Sequence, residues 1–256
     1  LRSNSLETRI NAYVSTGVGF ERSEMPLLNS TEHKFLLSEL YQKAYPDISP
    51  VLINNTLPFL NQNIPVKQPW GYEGNMDYYR YNANTNWQKQ VLGPSLNQNY
   101  YMNVSGGDEI ATYVLSLGYL NQEGMVVNTD FSRFSTRFNS EIKFSKNFKV
   151  LANMSFMYST KHLPNEGGDI ALNPILASLV KAPFTAPYIY NEEGKKSPNL
   201  EDADYWNLSN PYVLVNNKNN LVNINYRFFG SFEFIYNINR HFDLAAQMGL
   251  NFNKER

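Results

Sequence analysis

The stretch that decides the fold reads Val222, Asn223, Ile224, Asn225, Tyr226, Arg227, Phe228, Phe229, Gly230, Ser231, Phe232, Glu233, Phe234, Ile235, Tyr236, Asn237. Even positions are apolar apart from Gly230, whereas odd positions carry Asn223, Asn225, Arg227, Ser231, Glu233 and Asn237. A period of two is the signature of a β-strand with one apolar and one polar face. At ~3.3 Å per residue such a run reaches about 50 Å. Strands of globular sheets usually have only ~5–6 residues.

The same alternation recurs over 9–20, 99–105, 111–119, 133–144, 150–159 and 242–251. Ile10, Val14, Leu115, Phe138, Phe156 and Leu250 are typical of the apolar set, which contains no charged residue. The other face carries Arg9, Arg133, Arg137, Glu141, Lys143, Arg227, Glu233 and Asp243 among many Asn, Ser and Gly. A one-residue slip in pairing would invert this contrast. Two architectures offer such a sheet a home: a soluble sandwich or barrel with the apolar face inward, or a transmembrane β-barrel with that face toward lipid.

Three features favour the membrane. Short connections at 106–109, 145–148 and 238–241 alternate with longer ones at 21–98, 120–132 and 160–221, as in outer-membrane barrels with tight turns at one end and loops at the other. The polar face is too rich in Asn, Ser and charge for a dry core. Aromatics gather near strand ends (Phe20, Tyr100, Tyr119, Phe144, Tyr158, Tyr236, Phe242), where interfacial girdles form. The expected fold is therefore all-β: an antiparallel transmembrane β-barrel segment of about seven long strands. Bacterial single-chain barrels use even strand numbers, and open edges are not tolerated in lipid. The seven strands are thus expected to be part of a longer chain.

Composition narrows function by exclusion. The 256 residues include no Cys and have a net charge of -1. A disulfide framework, a Cys nucleophile and a zinc ribbon are excluded, and a nucleic-acid binder would need a basic surface. The longest apolar run, Tyr212 to Val215, is far short of the ~20 residues of a transmembrane helix. His33, His162 and His241 stand apart and outside any H-x-x-x-H spacing, and no G-x-S-x-G, P-loop or G-x-G-x-x-G occurs. Glu192 and Glu193 are adjacent on a hairpin-like loop, a poor scaffold for a glycosidase pair. No enzyme activity and no catalytic residues are expected.

The two largest connections, 21–98 and 160–221, are expected to be extracellular loops carrying a short helix. In the first, Asn29 as N-cap and Glu32 three residues on form a capping box, and Pro46 ends the helix. In the second, Asn173, Pro174 and Ile175 begin a short helical turn. The loops are rich in aromatics, and Trp70, Tyr72, Tyr78, Tyr79, Tyr81, Trp87, Tyr205 and Trp206 are candidate anchors for a ligand or partner. The alternative is that these rings pack the loops against themselves. Glu201, Asp202 and Asp204 are a weak candidate for Ca²⁺ through oxygen ligands, without EF-hand spacing; otherwise no metal or cofactor is expected.

Residues 86–160 carry a more specific resemblance. Asn103, Val104, Ser105, Gly106, Gly107 and Tyr113, then Ser116, Tyr119, Gln122, Glu123 and Gly124, then Arg133, Ser135, Arg137 and Asn139 resemble early barrel strands of the SusC/RagA family of TonB-dependent outer-membrane transporters. Asn86, Trp87 and Gln88 resemble that family's entry to this hairpin, and the 28–32 segment resembles its short helix after the first barrel strands. The resemblance implies a 22-stranded barrel in the outer membrane of a Gram-negative bacterium. It also implies a SusD-like surface lipoprotein as lid, energy from TonB through an N-terminal part, and import of glycans or oligopeptides. The plug domain is not present in these residues. Arg133 and Arg137 lie on the lumen face, where they can pair with plug or barrel carboxylates, and these motif residues are expected to be architectural and not ligand contacts. The alternatives are a soluble all-β carbohydrate- or protein-binding module and a structural outer-membrane barrel.

Overall fold

The structure, a computed structural model, describes residues 7–20, 24–47, 73–74, 76–164, 167–204, 206–216 and 221–256. The described elements run β1 (Arg9–Gly19), α1 (Ser30–Ala44), α2 (Met76–Tyr81), α3 (Trp87–Val91), β2 (Ser95–Gly107), β3 (Ala111–Glu123), β4 (Asp130–Lys143), β5 (Phe148–Leu163), α4 (Pro174–Val180), β6 (Tyr188–Tyr190), β7 (Lys196–Leu200), α5 (Pro211–Asn216), β8 (Leu221–Asn237) and β9 (Asp243–Glu255). The chain divides into two compact units, one of residues 1–20, 94–163 and 221–256, the other of 21–93 and 164–220.

The first unit is one antiparallel sheet in the order β1-β2-β3-β4-β5-β8-β9. Its register brings like side chains into rungs. Ile10, Val104, Leu115, Phe138, Met154, Gly230 and Leu250 lie side by side, and the next rung is Asn11, Asn103, Ser116, Arg137, Ser155, Phe229 and Asn251. The alternation within each strand is thereby extended across the whole sheet.

The apolar face is the open one. On the inner strands Phe134 is 40% exposed, Phe156 36% and Phe234 38%. Apart from Gly106 and Gly230, which have no side chain, the sheet's buried residues are Ser95, Asn103, Val114, Leu151, Ser159 and Ser231, and they belong to the opposite, polar face. A soluble sandwich would show the reverse.

Two aromatic rungs bound the apolar face. Tyr100, Tyr119, Phe134, Tyr158 and Tyr226 are consecutive in register, with Tyr158 and Tyr226 rings 4.9 Å apart. Phe144, Phe148 and Tyr236 form the second, the two Phe rings 5.7 Å apart. On β4, β5 and β8 the rungs are ten residues apart (134 to 144, 158 to 148, 226 to 236). Ten residues at ~3.3 Å, tilted ~40–45°, rise about 25 Å, the height of the apolar band of a transmembrane barrel.

The strands extend beyond the expected ends, because alternation stops where the apolar band stops. Past the upper aromatic rung the same face carries Gln98, Asn121, Ser132 and Thr160 side by side. One level higher stand Glu123, Asp130 and His162, with His162 Nδ1 2.8 Å from Asp130 Oδ1. On β3, β4 and β5 pairing continues there without an apolar side chain on that face to announce it, while β8 keeps Ile224 and Val222 level with Thr160 and His162. The expected long connection 120–132 therefore shrinks to residues 124–129. At the other end the β2–β3 turn needs Gly107: its φ is +148°, and a Cβ would lie 2.3 Å from the Ala111 carbonyl oxygen. Asp108 Oδ1 closes that turn, accepting from the Ile110 and Ala111 amides at 2.8 and 2.7 Å.

The second unit is built from asparagine-capped helices. Asn29 Oδ1 accepts from Glu32 N at 3.0 Å while Glu32 Oε2 accepts from Asn29 N at 2.9 Å, the expected capping box. Asn86 caps α3 through Lys89 N at 3.1 Å. Asn173 caps α4 through Ile175 N and Leu176 N at 3.0 and 3.1 Å. Asn210 accepts from Tyr212 N at 3.0 Å at the start of α5. Pro174 and Pro211 follow two of these caps, where a missing N–H costs nothing. Helices α2, α3 and α5 and the β6–β7 hairpin, which pairs Tyr188 with Leu200 and Tyr190 with Lys196, add to the elements expected from sequence.

Candidate functional site

The core of the helical unit is Tyr81, Ala182 and Phe184, with Leu37, Tyr41 and Trp206 packed against it. Trp87 is 3% exposed and its Nε1 donates to the Ala182 carbonyl at 3.0 Å. Trp206 meets Phe184 edge-on at 5.9 Å. Tyr81, Trp87 and Trp206 thus hold the unit together. Tyr78 and Tyr79 are half-buried. They cross at 5.3 Å, and Tyr79 also stacks on Tyr190 at 5.9 Å and packs on the bare backbone of Gly194. Trp70, Tyr72 and Tyr205 lie outside the described residues.

The acidic cluster does not converge on a cation site. Glu201 pairs with Arg80. Asp204 pairs with Lys181 at 3.0 Å, both side chains buried, and accepts from the Trp206 and Leu208 amides at 3.0 and 2.9 Å. Asp202 is exposed. Among the described residues no three His, Cys, Asp or Glu side chains stand where they could hold a metal ion. Burial lowers the Lys181 pKa despite the attraction of Asp204. Lys34 is likewise buried, donating to Asn82 Oδ1 at 2.9 Å with its ammonium 5.4 Å from the Phe184 ring centroid. Desolvation brings its pKa down to about 8. These cations are interior parts that sequence inspection did not single out, since nothing local distinguishes a lysine whose partner is far along the chain.

The helical unit has a hollow of about 490 Å³, lined by Met25, Leu28, His33, Leu36, Trp87 and Val180 among others. A double amide contact fixes its edge: Gln88 Oε1 accepts from Met25 N at 2.9 Å, and Gln88 Nε2 donates to Met25 O at 2.7 Å. His33 Nδ1 is buried here without a hydrogen-bond partner, and desolvation lowers its pKa.

The sheet has a second hollow, of about 700 Å³, on its polar face. Arg133, Arg137 and Arg227 enter it between Ser116, Ser135 and Ser155.

An exposed apolar face held between two aromatic belts on an antiparallel sheet is the pattern of a membrane β-barrel's wall. More particularly, the chain is similar to SusC/RagA-type TonB-dependent transporters. It is 29% identical over 167 residues to TonB-dependent receptor P3 of Formosa agariphila, covering 64% of this chain and 16% of that protein. It is 27% identical over 129 residues to TonB-dependent receptor SusC of Bacteroides thetaiotaomicron, covering 48% of this chain and 12% of the other. Its fold superposes on a chain of the RagAB peptide importer in the closed-closed state with a TM-score of 0.71 and 19% identity, over 98% of this chain and 28% of that one. The chain therefore spans only a small part of the proteins it resembles. No family model matches it. The similarity is to receptors and a transporter, none of them an enzyme.

Proposed function

We propose that these residues are a section of barrel wall in an outer-membrane TonB-dependent importer that takes glycans or oligopeptides together with a SusD-like surface lipoprotein. The observation that carries the reading is the outward apolar face, bounded by aromatic rungs about 25 Å apart. Sequence similarity to named TonB-dependent receptors supports the energy source, and the likeness to RagAB supports a two-component assembly. Further strands from the rest of the protein close the barrel, up to 22 in all, because β1 and β9 each pair on one side only here and open edges are not stable in lipid. The connections 21–98 and 160–221 face the cell exterior and form the surface on which the lipoprotein and cargo are received.

Adjacent residues Phe138 and Asn139 test the orientation, since they face opposite sides of β4. Phe138→Cys in the full-length protein is expected to react with a lipid-soluble maleimide and to resist a membrane-impermeant one, with Asn139→Cys showing the opposite preference. Equal reaction of both with the impermeant reagent, in protein that stays monodisperse without detergent, would return the chain to the soluble class. Recovery of a lipoprotein with the tagged full-length protein tests the partner, and growth on glycans against peptides after gene deletion tests the cargo.

A further inference from the structure

We propose that the polar face of the sheet binds an oligoanion, a cargo molecule with several carboxylate or sulfate groups, through Arg133, Arg137 and Arg227. The inference rests on the import reading and names its substrate class.

The three arginines occupy neighbouring rungs. Arg133 and Arg137 are four residues apart on β4, about 13 Å along the strand. Arg227, two strands away on β8, is level with Ser135, midway between them. Strand spacing of ~4.8 Å then puts the three Cα atoms about 12–13 Å apart in a near-equilateral triangle. All three side chains are exposed, and none forms an ion pair with any described residue.

Among the described residues, only one carboxylate shares their rungs. Across the rungs of Arg137, Arg227 and Arg133 the inward positions are Asn, Ser, Gly, Tyr and a few apolar residues. The single carboxylate, Glu255, sits at the far strand and accepts from Asn223. Acidic residues return only lower down, where Glu141 and Glu233 flank Leu151, and Glu141 lies 3.9 Å from Lys149.

Small side chains keep the space between the arginines open: Ser116, Gly118, Ser135 and Ser155 line the hollow of about 700 Å³. Guanidinium groups match carboxylate and sulfate oxygens in pairs. One exposed pair contributes little, but three converging on one hollow, in a low-dielectric wall, concentrate an anion of matching charge. The hydroxyls suit the neutral polar groups of a sugar or peptide backbone.

Binding to full-length protein in detergent tests this, with fluorescent trigalacturonate and triglutamate as probes and maltotriose and triglutamine as neutral controls. At least one trianion is expected to bind tenfold or more tighter than its neutral control, with affinity falling as salt rises. The triple variant Arg133→Gln, Arg137→Gln, Arg227→Gln is expected to lose at least tenfold of that binding. Preference for trigalacturonate assigns a glycan cargo, and preference for triglutamate a peptide. Unchanged binding in the triple variant, or no preference for either trianion, overturns the proposal. If the Gln variant fails to assemble, the triple Lys variant decides: retained trianion preference supports the site, whereas its loss shows arginines that pair with carboxylates of the protein itself. Failure of the import reading would appear separately, in the labelling of Phe138 and Asn139.

Discussion

Lys34 shows how much a single residue can hide from its sequence context. It follows His33 on α1, and its neighbours suggest an ordinary solvated helix face. Yet it is 7% exposed and lies against Phe184, 150 residues along the chain. Its pKa near 8 makes the helical unit's stability depend on pH. Between pH 8 and 10 the unfolded Lys34 still holds its proton while the folded one releases it. The unfolded state thus binds more protons, and stability rises with pH, by at most ~1.4 kcal/mol per pH unit for one group. Below pH 8 the burial penalty is fully present. Resistance of the helical unit to proteolysis in the full-length protein is expected to increase from pH 8 to 10, and Lys34→Met to reduce that slope. A slope unchanged by Lys34→Met would place the titration elsewhere, Lys181 being the other buried lysine whose pKa is lowered. Local chemistry, by contrast, was legible: Asn29, Glu32 and Pro46 announced α1 because a capping box is complete within four residues. The Lys181–Asp204 pair was not, because its partners come from different segments, and it is what draws Asp204 out of the acidic cluster read from the sequence.

At the scale of elements, the strand faces were fully legible and the strand ends were not. Period-two alternation reports a difference between environments, so it reads out a strand only where one side meets lipid and the other water. Gln98, Asn121, Ser132 and Thr160 continue the ladder with polar residues on the face that is apolar below them, and they read as loop. The same environment difference sets the cost of substitution. Phe138 lies in the middle of the apolar band of β4, four residues below Phe134 and six above Phe144. Phe138→Arg is expected to cost ~2–4 kcal/mol, the penalty for Arg near the bilayer midplane. Asn139→Arg, one residue on and on the opposite, polar face, is expected to stay near neutral. Folding yield of heat-modifiable, assembled barrel for the two full-length variants measures the contrast. Equal losses would contradict the facing assigned to β4.

The whole sheet behaves as a ruler for the membrane. Each of three strands contributes one residue to the upper aromatic rung and another ten positions away to the lower one, although no sequence repeat enforces that spacing. A soluble protein has no reason to keep rings at a fixed separation on an exposed face, whereas a bilayer does, because Tyr and Phe prefer the depth where hydrocarbon meets headgroups. The rung positions then predict depth. Phe134→Trp and Phe144→Trp, in full-length protein reconstituted in lipid, are expected to be quenched best by bromine placed high on the acyl chain. Phe138→Trp is expected to be quenched best by bromine near the chain end. Native Trp87 and Trp206 belong to the helical unit, so difference quenching against the unsubstituted protein isolates each new ring. If all three rings reported one depth, the two aromatic rungs would not bound a hydrocarbon layer, and the apolar face would need another partner.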